Sequence, residues 1–434
     1  MDKMADVLGR AGAWCGQNKY LSAIKNAFQN FMPLTIAGAI GVLWCNVLVN
    51  ESTGLGMFFK PIMALDFLNP AFQAVNFCTI SCITVGITLG IAQEIGIWNM
   101  GAEKAGYIPG LVGLAAWLSV TNTSHMVDGA KEAFTGVAGN ELGATGLFTG
   151  MIIGVLSVEL FCFFEKQDAL KIKMPDQVPP GVARAFEVLV PATITLIITA
   201  CIGSACYNLT GLYLNDVIKN GIQGPLGAVG ATIPGVMIIY LVIMLFWLVG
   251  IHGNNMLSAV KEALFTPLAL ENVEKFNKGE KPTNIINMYA LQMWGEFGGS
   301  GVTIGLVIAI MIFGKREDNK AIATLSLVPG LFNINETVTF GIPMVLNPIL
   351  GIPFVVTPLI TIIIGYVLTV IGFCPVACLT VPWTTPPIVF GFLACGANVM
   401  GAVTQAILVV VSTVIYVPFL ISYEKYQNKQ AAEA

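Results

Sequence analysis

Residues 235–255 have the sequence GVMIIYLVIMLFWLVGIHGNN, an uncharged apolar run that ends in a histidine and two asparagines. A helix needs about 20 apolar residues to cross the hydrocarbon core of a bilayer, so this stretch predicts a membrane-spanning helix with polar groups at its end. Comparable apolar runs occupy 31–49, 71–93, 106–121, 144–164, 186–207, 232–251, 299–314, 352–373 and 401–421. The sequence therefore predicts an all-α integral membrane protein.

The composition of the whole chain excludes several other classes. The chain has 434 residues, of which 56% are hydrophobic and only 11% are charged, whereas soluble domains carry about 25% charged residues. The net charge is −4, and Lys and Arg do not cluster into the basic surface that a nucleic-acid partner requires. The ten cysteines lie mostly in apolar runs without interleaved His or carboxylates, which indicates buried thiols. We expect no nucleic-acid partner, no metal and no cofactor.

Two further regions, 321–350 and 378–398, are apolar but interrupted by Pro, Gly, Asn and Thr. Including them gives about ten transmembrane helices plus re-entrant hairpins. Loops 272–281 and 315–320 are both basic, which indicates the cytoplasmic side, yet the chain between them is too short for two full spans at 1.5 Å per residue. A half-helix or hairpin around 284–298 would resolve this, and interrupted segments of this kind point to a transport site.

The distribution of apolar and polar residues divides the chain into four segments. Residues 1–30 mix basic and apolar positions and predict an amphipathic helix on the cytoplasmic membrane surface. Residues 31–225 contain mostly continuous apolar segments, which favour a scaffold and oligomer interface, whereas 226–423 contain interrupted segments and form the expected transport domain. Residues 424–434 form a short tail. Basic residues near both ends place both termini in the cytoplasm.

Two polar motifs stand inside apolar sequence, where charged or polar groups are costly unless they face a cavity or a partner. His252 lies in GIHGNN at 250–255, and Glu336 lies in NINETVTFGIP at 333–343. The alternatives are a capping turn at a helix end for the histidine and an extramembrane loop for the acid. We expect both side chains to face one polar cavity.

Two tryptophans adjoin residues that interrupt helices: Trp294 in WGEFGGSG (294–301) and Trp383 in PWTTPP (382–387). Aromatic rings stack on the apolar faces of sugars, while carboxylate, amide and imidazole groups bind sugar hydroxyls, so the combination fits a carbohydrate cavity. The alternative for either tryptophan is an anchor at the membrane interface. The candidate substrate-binding residues are Glu336, His252, Asn254, Asn255, Trp294, Glu296, Asn333, Asn335 and Trp383.

The motifs GIHGNN (250–255), NINETVTFGIPMVLNP (333–348) and PWTTPP (382–387) resemble those of the lactose/cellobiose family of phosphotransferase enzyme IIC subunits. The similarity extends over essentially the whole chain, and the cellobiose and N,N'-diacetylchitobiose permeases are the most similar members. One departure is Thr337, where the family commonly has Pro, which leaves the local backbone geometry open.

The resemblance implies a homodimer in the bacterial cell membrane, in which N-terminal spans form the dimer interface and C-terminal spans hold a disaccharide. It implies that Glu336 and His252 contact the sugar near the 6-hydroxyl that is phosphorylated, with Glu336 as hydrogen-bond acceptor or base. Transport would be an elevator-like movement of the sugar domain. Phosphate would come from a separate enzyme IIB, supplied by enzyme IIA and upstream phosphotransferase proteins, so the chain on its own would be a permease and not an enzyme.

Other classes of protein remain as alternatives at this stage. In an ion-coupled sugar symporter, Glu336 and His252 would relay protons or sodium ions. In an intramembrane enzyme, the same pair would need a nucleophile or a metal cluster, and the sequence offers neither beside His252. A purely structural membrane protein would not need the polar motifs.

Overall fold

The computed structural model describes residues 10, 13, 14, 17–51, 55–125, 134–175, 177–342 and 344–433. Much of the expected N-terminal amphipathic helix, and Pro343 of the second motif, lie outside these described residues. Two short antiparallel strands, β1 (Ser124–His125) and β2 (Phe134–Thr135), accompany a helical chain. The α-helices are α1 (Lys19–Leu43), α2 (Asn69–Asn76), α3 (Ile83–Met100), α4 (Ala102–Ala105), α5 (Ile108–Val120), α6 (Gly139–Leu142), α7 (Ala144–Glu165), α8 (Pro180–Thr210), α9 (Leu214–Ile218), α10 (Gly224–Gly230), α11 (Ile233–Leu248), α12 (Gly253–Met256), α13 (Ser258–Asn277), α14 (Met288–Gly295), α15 (Ile304–Phe313), α16 (Glu317–Leu331), α17 (Glu336–Gly341), α18 (Gly351–Val370), α19 (Val389–Ala394) and α20 (Val399–Glu433).

Several of the described helices are long and apolar enough to cross a membrane. Five qualify as single helices, namely Lys19–Leu48, Ala144–Glu165, Pro180–Thr210, Gly351–Val370 and Val399–Glu433. Two bent pairs raise the number to seven: Lys60–Ser81 with Ile83–Met100, bent by 42°, and Met288–Val302 with Ile304–Phe313, bent by 60°. The second bend interrupts the chain beside the expected half-helix. The fold is therefore all-α and of membrane type, with several spans.

Three boundaries differ from the sequence prediction. Helix α1 begins at Lys19, where the Asn18 side chain accepts the Leu21 N–H at 3.1 Å as an N-cap does, and it continues helically to Leu48 without a break at residue 30. The run 71–93 is bent near Cys82 instead of forming one helix. The expected tail is helical, since α20 continues to Glu433.

The chain divides into two compact units. The N-terminal unit comprises Gln17–Gly38 and Val75–Ala228. Its helices approach closely through small residues, as membrane helices commonly do. A Cβ at Gly113 of α5 would lie only 2.3 Å from the Cβ of Ala92 in α3, so a larger residue there would separate the two helices.

The second unit, here called the motif unit, comprises Ala39–Ala74 and Val229–Ala434 and contains all of the polar motifs. Its core includes the fully buried rings of Phe354 and Tyr416. Residues 39–74 cluster with this unit, although the sequence texture grouped them with the chain up to 225.

Glu424 holds loop 315–320 against α20 within the motif unit. The Glu424 side chain is buried, and its carboxylate accepts the backbone N–H groups of Lys315 at 2.9 Å and Arg316 at 3.3 Å and the Asn319 amide at 3.2 Å. A buried carboxylate requires such partners. The basic loop and the C-terminal part of α20 therefore lie together.

Candidate substrate-binding site

The first motif places His252 at the start of a short helix. Helix α11 ends at Leu248, and His252 is the N-cap of α12, where its Nδ1 accepts the backbone N–H of Asn255 at 3.3 Å. The imidazole also packs on Trp247, with ring centroids 4.4 Å apart. Because Nδ1 accepts a hydrogen bond, the neutral imidazole carries its proton on Nε2. The Nε2–H of His252 is therefore a hydrogen-bond donor.

Glu296 begins the glycine loop (residues 296–301) and is engaged by a buried cation. Its Oε1 accepts the Tyr240 hydroxyl at 2.6 Å and forms an ion pair with the Lys261 ammonium group. Lys261 is buried, and its ammonium lies 5.5 Å from the centroid of the Tyr240 ring. The charge of the Glu296 carboxylate is therefore compensated inside the protein, which ties the glycine loop to α11 and α13.

Asn333 and Asn335 attach the second motif to the glycine loop. The Asn333 Oδ1 accepts the Gly298 N–H, and the Asn335 Nδ2 donates to the Ser300 carbonyl at 2.8 Å. Gly299 lies between the two contacts with φ +87°, and a Cβ there would lie 2.5 Å from the Asn335 Cβ. Only glycine permits both this backbone conformation and this close approach.

The same contacts extend to the other two motifs. The Asn333 Nδ2 donates to the backbone carbonyls of Trp383 and, at 3.2 Å, Thr385. The Asn254 Nδ2 donates to the Ser300 Oγ at 3.1 Å. Asn254 belongs to the first motif, Asn333 to the second and Trp383 to the third. The structure therefore joins all three motifs in one hydrogen-bonded network.

Glu336 lies near His252 and is accessible. It is the first residue of α17, and its side chain is exposed. The His252 imidazole lies within electrostatic range of the charges of Glu336, Glu296 and Lys261. The acid and the histidine come from distant parts of the sequence, yet their charges are close enough to interact.

The two tryptophans differ in accessibility. Trp383 is 44% exposed, whereas Trp294 is 1% exposed. A Cβ at Gly365 of α18 would lie 2.4 Å from Cδ1 of Trp294, so the indole is packed directly on the backbone of that helix. Neither face of Trp294 is open to a ligand in this conformation. Helix α18 covers the Trp294 ring, so Trp383 is the accessible tryptophan of the two.

The asparagines Asn254, Asn255 and Asn335 also differ in accessibility. Asn255 is exposed. The Asn254 Oδ1 is shielded and has no hydrogen-bond partner among the described residues. Asn335 is 4% exposed, and its amide donates to the Thr339 hydroxyl at 3.2 Å as well as to Ser300. Both bonds of the Asn335 amide go to protein groups, and the one to Ser300 supports the glycine loop.

Gln405 is a supporting residue that sequence reasoning missed. It is fully buried in α20, where its Oε1 accepts the N–H groups of Ile388 at 2.8 Å and Gly391 at 2.7 Å and its Nε2 donates to Met293 at 3.2 Å. A lone amide inside the apolar run 401–421 was the available signal. Among the described residues, no group of three or more His, Cys, Asp or Glu side chains is placed to hold a metal ion.

Comparison with known proteins identifies the family of the chain. The sequence profile of the family described as "Phosphotransferase system, EIIC" matches residues 25–358. The chain belongs to the EIIC family of the phosphotransferase system. This result confirms the predicted family. An EIIC protein is the multi-pass membrane permease of that system, which translocates a sugar and cooperates with an enzyme IIB that phosphorylates it. The ion-coupled symporter, considered above, is not supported.

Individual EIIC proteins resemble the chain along nearly its whole length. The oligo-beta-mannoside-specific EIIC component of Bacillus subtilis (strain 168) is 32% identical over 429 residues, 98% of this chain and 94% of that protein. The cellobiose-specific EIIC component of Lactococcus lactis subsp. lactis (strain IL1403) is 29% identical over 486 residues, with 98% of each chain covered. The crystal structure of the transporter ChbC, the IIC component from an N,N'-diacetylchitobiose-specific phosphotransferase system, has a TM-score of 0.88 at 29% identity and 97% coverage of both chains.

Proposed function

We propose that this EIIC imports a β-linked disaccharide, cellobiose or N,N'-diacetylchitobiose, and presents its 6-hydroxyl to enzyme IIB. The sugars named for the similar proteins support this substrate class. The observation that carries the proposal is the hydrogen-bonded network that joins the motifs of His252, Glu336 and Trp383, polar segments that a purely structural membrane protein would not bring together.

Glu336 and His252 act on the same sugar oxygen. The exposed Glu336 carboxylate accepts the hydrogen bond of the 6-hydroxyl, and the Nε2–H of His252 donates to that oxygen, since Nδ1 is already bonded to Asn255. As the oxygen attacks the phosphorus carried by the IIB cysteine, its proton passes to Glu336. The new O–P bond forms while the S–P bond breaks, and the cysteine leaves as a thiolate.

Three other residues bind the rest of the sugar. Trp383, with almost half of its surface exposed, stacks on an apolar sugar face. The half-buried Asn254 and the exposed Asn255 bind hydroxyl groups through their side-chain amides. The ion-paired Glu296 and the buried Asn335 hold these residues in position instead of contacting the sugar.

The proposed assembly is a homodimer with about ten crossings per protomer and both termini in the cytoplasm. The N-terminal unit provides the dimer interface, and the motif unit carries the sugar across the membrane in an elevator-like movement. Enzyme IIB is a separate chain that receives phosphate from enzyme IIA and the upstream phosphotransferase proteins. The interruption between α14 and α15 and the irregular segment before α19 support a motif unit built from re-entrant pieces.

The decisive experiment measures radiolabelled cellobiose binding to purified protein, in competition with N,N'-diacetylchitobiose and lactose. We expect cellobiose or N,N'-diacetylchitobiose to compete better than lactose. Glu336→Gln and Glu336→Ala should each weaken binding by at least about tenfold, the effect of losing one hydrogen bond to a charged group. Glu280→Gln, which changes an exposed loop glutamate, is the matched control. Wild-type affinity in both Glu336 variants would defeat the assignment.

A further inference from the structure

We propose that Asn333 is a positioning residue that sets the location of Trp383 and makes no contact with the sugar itself. This inference rests on the proposed function, because it concerns the tryptophan that stacks on the substrate. It replaces the expectation from the sequence that Asn333 binds a sugar hydroxyl.

Both side-chain N–H donors of Asn333 are engaged in hydrogen bonds within the protein. An asparagine side chain has two N–H donors and one carbonyl acceptor. The carbonyl accepts the Gly298 N–H, and the Nδ2 group donates to the carbonyls of Trp383 and Thr385. No N–H remains to donate to a hydroxyl. The amide thus connects the glycine loop directly to the backbone of the residue that stacks.

The backbone of Asn333 explains why an asparagine occupies this position. Its φ is +64°, in the left-handed region that glycine and, after it, asparagine tolerate best. Glycine would satisfy the backbone but would lose the amide. Alanine would lose the amide and would also be strained. The two substitutions therefore separate the contribution of the side chain from that of the backbone.

The segment around Trp383 depends on few other anchors. Residues 371–388 form no regular helix. The neighbouring side-chain anchors are the Thr380 hydroxyl, 2.6 Å from the Tyr289 hydroxyl, and the Gln405 bond to Ile388. They lie three positions before and five positions after Trp383 along the chain. Loss of the Asn333 amide therefore frees the part of the segment that carries the exposed indole.

The test is a double-mutant cycle in sugar affinity. We expect Asn333→Gly to weaken sugar binding roughly tenfold, the order of one or two neutral hydrogen bonds. In a Trp383→Ala background the same substitution should change affinity less than about twofold, because coupled residues are not additive. Hydrogen exchange of segment 382–391 should accelerate in Asn333→Gly. Asn208→Gly, at an exposed asparagine of α8, is the control.

Two results would overturn the inference. Wild-type affinity and wild-type exchange in Asn333→Gly would show that only the backbone conformation matters. Equal losses in the presence and absence of Trp383 would show a direct contact with the sugar. If Asn333→Gly binds sugar with wild-type affinity while Glu336→Gln binds it weakly, this inference alone fails. If Glu336→Gln also binds normally, the proposed function fails.

Folding of each variant is checked by its melting temperature and gel-filtration profile. If no substitution at 333 gives folded protein, wild-type protein labelled with ¹⁵N-asparagine decides the question. Side-chain amide protons of Asn333 that are held by two carbonyls exchange slowly with solvent. Exchange as fast as that of the exposed Asn255 amide would overturn the inference.

Discussion

The buried ion pair between Lys261 and Glu296 gives the sharpest prediction about stability. The side chains are 7% and 18% exposed, and removal of one partner leaves the other charge uncompensated, at a cost of about 3–5 kcal/mol. The Tyr240 hydroxyl still donates to Glu296 at 2.6 Å, so the free-energy cost of Lys261→Met should lie at the lower end of this range. Glu296→Gln should cost about as much, because it strands a buried ammonium group.

The double variant Lys261→Met/Glu296→Gln removes both charges. We expect it to be more stable than either single variant and to lie within about 1.5 kcal/mol of wild type. The measurement is the free energy of unfolding of purified protein by denaturant. The exposed pair Lys278 and Glu274, with side chains 59% and 43% exposed, is the control, and its variants should change stability by less than about 1 kcal/mol.

Additive losses in the Lys261–Glu296 cycle would refute this reasoning, because they would mean that the two charges do not depend on each other. Sugar binding provides a second readout. Since Glu296 begins the loop that Asn333 holds, the single variants should also bind sugar more weakly, whereas the double variant should recover most of the affinity.

Three further predictions concern the loop, its supports and the energy source. Gly299→Ala should destabilise the protein by about 2 kcal/mol or more, because Gly299 has a φ of +87° and Asn335 leaves no room for a Cβ. Gly221→Ala is the control: the space around Gly221 is open, so the melting temperature should change little. Gln405→Leu leaves two N–H groups unbonded and should lower the free energy of unfolding by about 1–3 kcal/mol. Proton or sodium gradients should drive no sugar uptake into vesicles that lack enzyme IIB, and uptake under those conditions would restore the symporter.

The sequence was sufficient for the features that depend on local composition. Apolar runs predicted the membrane class, and the basic loops on either side of 284–298 predicted the interruption that the structure shows between α14 and α15. The motifs around His252 and Glu336 were found because charge and polarity are unusual in apolar sequence. These signals lie within short stretches and need no knowledge of distant partners.

Features that depend on distant partners could not be predicted. Trp294 and Trp383 have similar neighbours in the sequence, but only Trp294 is covered, because Gly365 of α18 packs on it. Asn333 has the sequence character of a ligand-binding residue, yet its partners are backbone groups 35 and 50 positions away. The grouping of 39–74 with the motif unit likewise depends on packing that periodicity does not encode.

The uninterrupted course of α20 to Glu433 has a practical use. Beyond Asn428, whose side chain accepts a hydrogen bond from Arg316 of loop 315–320, the helix projects for about 8 Å at 1.5 Å per residue. A fluorophore attached to this projecting end of α20 would report the tilt of the helix directly. A flexible linker would instead average the orientation of the fluorophore. Polarised single-molecule emission from such a label would reveal how far that helix rotates during a transport cycle.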